Sequence, residues 1–356
     1  MNASELLYFT AFVLSICVIL AIDLGLFNRH DHVVSAKEAT IWTTIWVALA
    51  VGFYFLLLYK GQNLHGIAND ADLRAAVIKY KQDVVFSGDF EGDVSRYRYA
   101  LSLEYLTGYL IEEALSVDNI FVIILILGAF GVEKRFYHRV LFWGIIGALV
   151  FRCIFIFAGS ALVAKFEWIL YLFAGFLLYT GVKMFLTRND KEEIDTENHA
   201  VIRFASRYFS VHPNFVGNKF FVRLNKKSFI TPLFLVLLII EFSDVIFAVD
   251  SIPAIFSVTK DPYIIFFSNI FAVLGLRSMF FLLINFIDKF RYFKHGLSAL
   301  LIFISLKMLA HSFLEQIGFT ILHSLAVIIL IIAISIVVSL LFPVEKRGAA
   351  LEGNAE

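Results

Sequence analysis

The sequence predicts an all-α polytopic membrane protein of about nine transmembrane helices, built around an inverted repeat of two three-helix units. Three observations carry this expectation. Of the 356 residues, 60% are hydrophobic and 40 are Phe, a composition of membrane proteins rather than of soluble cores. Apolar runs of about 20 residues recur, the length a helix needs to cross roughly 30 Å of hydrocarbon. Charged and polar residues inside those runs then recur at matched positions in two stretches of the chain.

The runs fall near 6–27, 40–59, 105–130, 141–163, 166–186, 230–258, 264–286, 296–314 and 318–342. The opening "MNASELLYF" has no basic residue and its apolar run continues without a break, so the first segment is expected as a retained helix rather than a signal peptide. The organisation reads as two N-terminal helices (1–60), an outer, periplasmic loop (61–103), a first three-helix unit (104–186) and a cytoplasmic loop (187–228). A second unit (229–314), then a last helix with a cytoplasmic tail (315–356), completes it. Both long connections, including the acidic "GDFEGD", read as solvated linkers.

Orientation follows from the basic residues. With the N-terminus outside, the inner connections carry 18 Lys and Arg, whereas the outer side carries Lys165, Lys260 and six in the connection from Lys60 to Leu103. A periplasmic N-terminus and a cytoplasmic C-terminus are therefore expected. Formal net charge is zero and no basic tract stands out, which excludes nucleic acid as a partner. Cys17 and Cys153 lie in apolar runs without a metal or redox spacing and read as small hydrophobes. All nine histidines fall at helix ends or in connections, where they read as headgroup or loop residues.

The repeat organises the rest. "LSVDNIFVI" aligns with "FAVDSIPAI", matching Asp118 to Asp250, and six residues earlier Glu112 falls on Asp244. "VFRCIFIF" aligns with "GLRSMFFL", matching Arg152 to Arg277, and "YTGVKMF" with "FISLKML", matching Lys183 to Lys307. Each unit holds three helices, so the second enters from the opposite side. In transporters of that topology the substrate site lies near the midplane between the repeats.

An ionised carboxylate at the bilayer centre costs about 2.5–3.5 kcal/mol on insertion scales, so each needs compensation. Six acids (Glu112, Glu113, Asp118, Glu241, Asp244, Asp250) stand against four bases (Arg152, Arg277, Lys183, Lys307). The bases read as counterions, with Lys183 near enough to a helix end to snorkel, and the deficit suits a divalent cation. A closed set of salt bridges is the alternative. The remaining donors are the Asn119 amide and the hydroxyls of Ser116, Ser243 and Ser251. Oxygen donors without His or Cys suit Mg, Ca or Mn.

At about 100° per residue, Glu112 and Asp118 lie roughly 120° apart around a straight helix and about 9 Å apart along it. A local break, or a site spread over both helices, is expected. Pro253 favours a break in the second copy, because it cannot donate to the carbonyl of Val249. Asp118 and Asp250 are expected within about 8 Å of each other, sharing one ion, with Glu112, Glu241 and Asp244 completing or relaying the site. Glu113 ranks below Glu112, and Asp23 reads as an interfacial carboxylate.

These residues sit in "DLGLFNRHDHVVSAKEA", "GYLIEEALSVDNIFV", "HRVLFWGIIGALVFRCIFIFAG", "TPLFLVLLIIEFSDVIFAVDSIPAIF" and "TKDPYIIFFSNIFAVLGLR". In them the chain resembles the TerC/Alx family of bacterial integral membrane proteins. The resemblance implies a manganese exporter of the inner membrane, linked to tellurium resistance and in some members to alkaline pH. It places the family's membrane acids on Glu112, Asp118, Glu241, Asp244 and Asp250.

The expected function is a carrier that exports a divalent metal, foremost Mn(II), in exchange for protons on the same carboxylates. No cofactor is expected to be permanently bound, and no enzyme activity. The alternative is a membrane anchor for a metal, tellurite or alkaline stress-response complex, with protein partners on the cytoplasmic loop. An intramembrane aspartyl hydrolase fits poorly, because neither GxGD nor HExxH is present.

Overall fold

Apolar windows become helices here because a backbone in lipid must satisfy its own hydrogen bonds. The computed structural model describes residues 3–27, 34–166, 168–186, 209–224, 227–284 and 293–341. Within them the chain forms α1 (Ala3–Phe27), α2 (Ala36–Lys60), α3 (Asp70–Tyr80), α4 (Phe90–Ala129), α5 (Tyr137–Lys165) and α6 (Ile169–Leu186). A hairpin of β1 (Phe221–Leu224) and β2 (Lys227–Ile230) follows. After it come α7 (Pro232–Phe256), α8 (Pro262–Leu283), α9 (Phe293–Leu309), the short α10 (His311–Gln316) and α11 (Ile321–Leu341). The chain is an all-α polytopic membrane protein.

Seven segments are long and apolar enough to cross a membrane, and they include α1, α2, α5, α6, α7, α8 and α11. The other two expected spans form helices that miss this measure for visible reasons. Three carboxylates interrupt the apolar part of α4, and α9 has 17 residues.

The connection at 61–103 departs from the expected solvated linker. Asn69 caps α3, its side chain accepting from the Asp72 N–H, and Lys81 ends that helix in the left-handed conformation at φ 53°. Asp89 caps α4 by accepting from the Gly92 N–H, so α4 begins 15 residues before the apolar run at Tyr105. Hydropathy marks only the apolar half of this helix. At about 1.5 Å per residue, the 40 residues of α4 span about 60 Å, twice the hydrocarbon thickness.

Pro262 opens α8 behind the Asp261 cap, and Pro232 opens α7 behind Thr231, the first-turn position where a missing N–H costs nothing. Pro253 does not break α7, which runs on to Phe256. The expected local break is absent, and the site spreads across helices instead.

In its apolar window α8 is 89% buried, against 11% for α1. It is the centre of the bundle, and α1 lies at the edge. Around α8, α4 packs along α8, α5 along α7 and α6 against α9, while α5 also meets α8 and α4 meets α7. Exchanging α4, α5 and α6 for α7, α8 and α9 leaves this set of pairings unchanged.

Candidate functional site

Arg152 lies on α5 with no solvent exposure, where a guanidinium must find anions or unfold the site. It finds two. Nη1 donates to Glu112 Oε1 of α4, and Nη2 and Nε donate to Asp244 Oδ1 and Oδ2 of α7 at 3.2 and 3.4 Å. Nη1 also donates to Asn269 Oδ1 of α8 at 3.1 Å. The planar fork suits this arrangement, since it grips one carboxylate with two donors and keeps a third for another partner. Four helices meet on one side chain.

Glu112 and Asp244 are the residues matched by the repeat. Asn269 was not anticipated, although "FFSNIFAV" shows two polar residues in an otherwise apolar helix.

Two buried oxygens near this cluster, Ser116 Oγ and Glu241 Oε2, make no hydrogen bond, and Glu112 Oε2 and Ser251 Oγ have no partner beyond a loose mutual contact. A buried acceptor left so costs about 1–3 kcal/mol, so it calls for a partner. All four are hard oxygen donors, and the residues present fit a hard cation in chemistry. The fit has a condition. Among the described residues no three His, Cys, Asp or Glu side chains converge closely enough to enclose a metal. A cation there needs Glu112 or Asp244 released from Arg152.

A cleft beside the cluster is lined by Asn119 of α4, Gly144 of α5, Ser243 and Asp244 of α7 and Val273 of α8. Glu241 lies one turn before Asp244 and against α5, where Gly147 leaves it space: a Cβ there would fall on the Glu241 carboxylate. Asp118 is half-buried on α4. Asp250 lies on α7, but its side chain is outside the described residues, and so is its expected approach to Asp118. The side chain of Asp23 on α1 is outside them too.

The other bases and Glu113 lie elsewhere. Arg277 is two turns beyond Asn269 and lines a separate cleft with Glu38, Trp42 and His138. Lys183 is exposed, its Nζ 5.9 Å from the Tyr179 ring. Lys307 donates to the carbonyl of Ser257 at 3.2 Å, just past the C-terminus of α7, where a cation meets the negative helix end. The expectation that Lys183 and Lys307 neutralise the acids does not match these positions. Glu113 faces α8, 3.9 Å from where a Gly275 Cβ would stand.

A second buried polar cluster stands at the end of the bundle that carries the N-terminus. Glu5 of α1, His65 of the α2–α3 connection and Asp261 at the start of α8 meet there. Glu104 of α4 accepts from the Thr259 hydroxyl at 2.5 Å close by. These residues sit at helix ends, where a sequence reader takes polar side chains for interfacial ones.

A family model described as "Integral membrane protein TerC family" matches residues 98–347. The chain belongs to the TerC family. The TerC match opens inside α4 and takes in Glu112, Arg152, Asp244 and Asn269, while α1, α2 and α3 precede it. Among similar proteins is an "Uncharacterized membrane protein STKORF319" of Myxococcus xanthus, 45% identical over 308 residues, covering 86% of this chain and 84% of that one. Proteins named "Putative membrane-bound redox modulator Alx" are 39% identical in Salmonella typhi, covering 92% of each chain. In Escherichia coli K12 the identity is 40%, covering 85% of each. No solved structure matches this TerC protein.

Proposed function

We propose that this TerC protein is a carrier that exports a hard divalent cation, Mn(II), across the bacterial inner membrane, with its N-terminus periplasmic and its C-terminus cytoplasmic. The observation that carries the reading is Arg152, buried and shared by Glu112 and Asp244 from the two three-helix units. A carrier must hold its carboxylates ionised without cargo, and an internal cation does that. It must also vary its affinity as the units move. Ligands on α4 and α7 change separation when one unit rocks against the other.

In this reading Arg152 and the cargo compete for the same oxygens. Metal entry draws Glu112 and the bound Asp244 away from the guanidinium, and Ser116, Ser251 and Asn119 supply neutral oxygens. Asp118, Asp250 and Glu241 supply further negative charge. Protons from the trans side replace the metal on these carboxylates during return. The main pairings among α4 to α9, which exchange of the units leaves unchanged, support a site shared between repeats.

The test is manganese tolerance in an exporter-deficient cell, with uptake into everted vesicles compared across divalent ions. Glu112→Gln, Asp118→Asn, Asp244→Asn and Asp250→Asn should each leave the protein in the membrane and abolish tolerance. Variants that protect the cells as the parent does return these acids to structural salt bridges, or to an anchor for a stress-response complex.

A further inference from the structure

The second polar cluster has a construction that the transport site does not use. His65 is buried among groups from four elements. Its Nδ1 is 3.2 Å from Glu5 Oε1 of α1, and its Nε2 is 2.8 Å from Asp261 Oδ2 of α8. From α3, Lys79 Nζ donates to Glu5 at 2.9 Å, Tyr80 Oη donates to Glu5 at 2.6 Å, and the Tyr80 ring packs at a tilt against His65. Tyr263 of α8 also donates to Glu5, at 3.4 Å. From α4, Tyr97 faces the imidazole edge-on, and Glu104 accepts from the Thr259 hydroxyl, whose oxygen in turn accepts from the Asp261 N–H.

This tie falls on a helix that has little else to hold it. Of the described side chains of α1, only Glu5 and Ile16 are buried, and Phe9 and Phe12 rest on rings of α2, α5 and α8. In lipid, apolar contact gives little preference for helix over acyl chain, so buried polar ties set whether a peripheral helix stays docked. The tie also crosses the limit of the TerC match, since Glu5, His65 and Lys79 precede residue 98 and Asp261 follows it.

We propose that Glu5, His65 and Asp261 form the latch of a gate at this end of the bundle, in which a protonated His65 fastens α1 to α8 and its loss frees α1 to swing out. The latch rests on the carrier reading, which places this end outside and requires it to open for cargo to leave. Deprotonated, His65 no longer balances two buried carboxylates, and Lys79 with the tyrosines stays on Glu5 alone. Burial by itself opposes the charge, but Asp261 and then Glu5 together outweigh it and hold the His65 proton up to about pH 9. His65 is charged more readily in the closed state than in a free chain. The latch is therefore fully made below about pH 6.5 and is lost as pH rises through about 9.

Spin labels test it without transport. In a chain carrying Cys17→Ala and Cys153→Ala, labels at the exposed positions Leu7→Cys and Ile78→Cys report the distance from α1 to α3. Labels at Leu56→Cys and Tyr99→Cys on α2 and α4 serve as the reference pair. Between pH 7 and 10 a second, longer α1–α3 population should grow with a midpoint near 9, while the reference pair holds. His65→Gln should show that population at pH 7 with no further pH response. If the α1–α3 distance ignores both pH and His65→Gln, or if both pairs broaden together, the latch is wrong. Should His65→Gln fail to accumulate, the titration with His65 intact still decides. Manganese flux in the same preparations separates the two claims: a pH-dependent latch without flux refutes the carrier and leaves a latch, whereas full flux with fixed distances does the reverse.

Discussion

A single guanidinium joins the two halves of this protein, so its removal has effects out of proportion to one residue. Arg152→Gln leaves Glu112 and Asp244 buried without a cation, and breaking a buried pair costs about 3–5 kcal/mol. Thermal unfolding in detergent should show that loss. Arg152→Lys, a point charge unable to fork between Asp244, Glu112 and Asn269, should recover only part of it. A stability equal to the parent in Arg152→Gln would mean that other cations serve these acids. Gly147 is the second sensitive position, because the Glu241 carboxylate occupies the space of its missing Cβ. Gly147→Ala should destabilise the protein, and much less so in a Glu241→Ala background. A double-mutant coupling of about 0.5–3 kcal/mol is expected for side chains in contact, and a coupling near zero would place Glu241 elsewhere.

At the scale of elements, the extramembrane part of α4 depends on the turn before it. Asp93 accepts from the Ser87 N–H at 2.8 Å, the Ser87 hydroxyl at 2.9 Å, the Gly88 N–H at 3.2 Å and Arg96 at 2.5 Å. The Ser87 N–H first, then these others, holds the Asp93 carboxyl below the usual carboxylate range. A lowered carboxyl adds stability above its unfolded pKa and loses it as pH falls through the folded one. Hydrogen exchange at the Ser87 and Gly88 amides should therefore accelerate on acidification below about pH 4. In Asp93→Asn it should already be fast at neutral pH. Protection that persists in Asp93→Asn would assign the turn to packing alone.

For the whole molecule, the clusters constrain how the chain threads the membrane. Glu104, at the N-terminal end of the apolar part of α4, bonds Thr259 just after α7. An even number of crossings must separate residues on one face. Since α5, α6 and α7 make three, α4 has to cross as well, despite its three carboxylates. Glu5 and His65, two crossings apart through α1 and α2, obey the same parity. With the 18 basic residues assigned to the inner side, reporter fusions at Lys134, Arg203 and Lys346 should all report cytoplasm. A periplasmic signal at Arg203 would place the second unit on the wrong side for an inverted repeat.

The sequence by itself determined the class of protein, the approximate spans and which acids lie inside apolar runs, because hydropathy and the cost of charge in lipid are properties of composition and order. It also paired Glu112 with Asp244 through "LSVDNIFVI" and "FAVDSIPAI". Only the tertiary structure decided that both grip Arg152, that Asn269 joins them, and that Lys307 serves a helix end instead. Helical periodicity fixes which residues share a face and leaves open which face meets which helix; that choice is made by packing. Glu5, His65 and Asp261 show the limit most plainly. They are separated by 60 and 196 residues, each at a helix end or in a connection, and nothing local distinguishes them from headgroup residues until the bundle closes and takes them out of water.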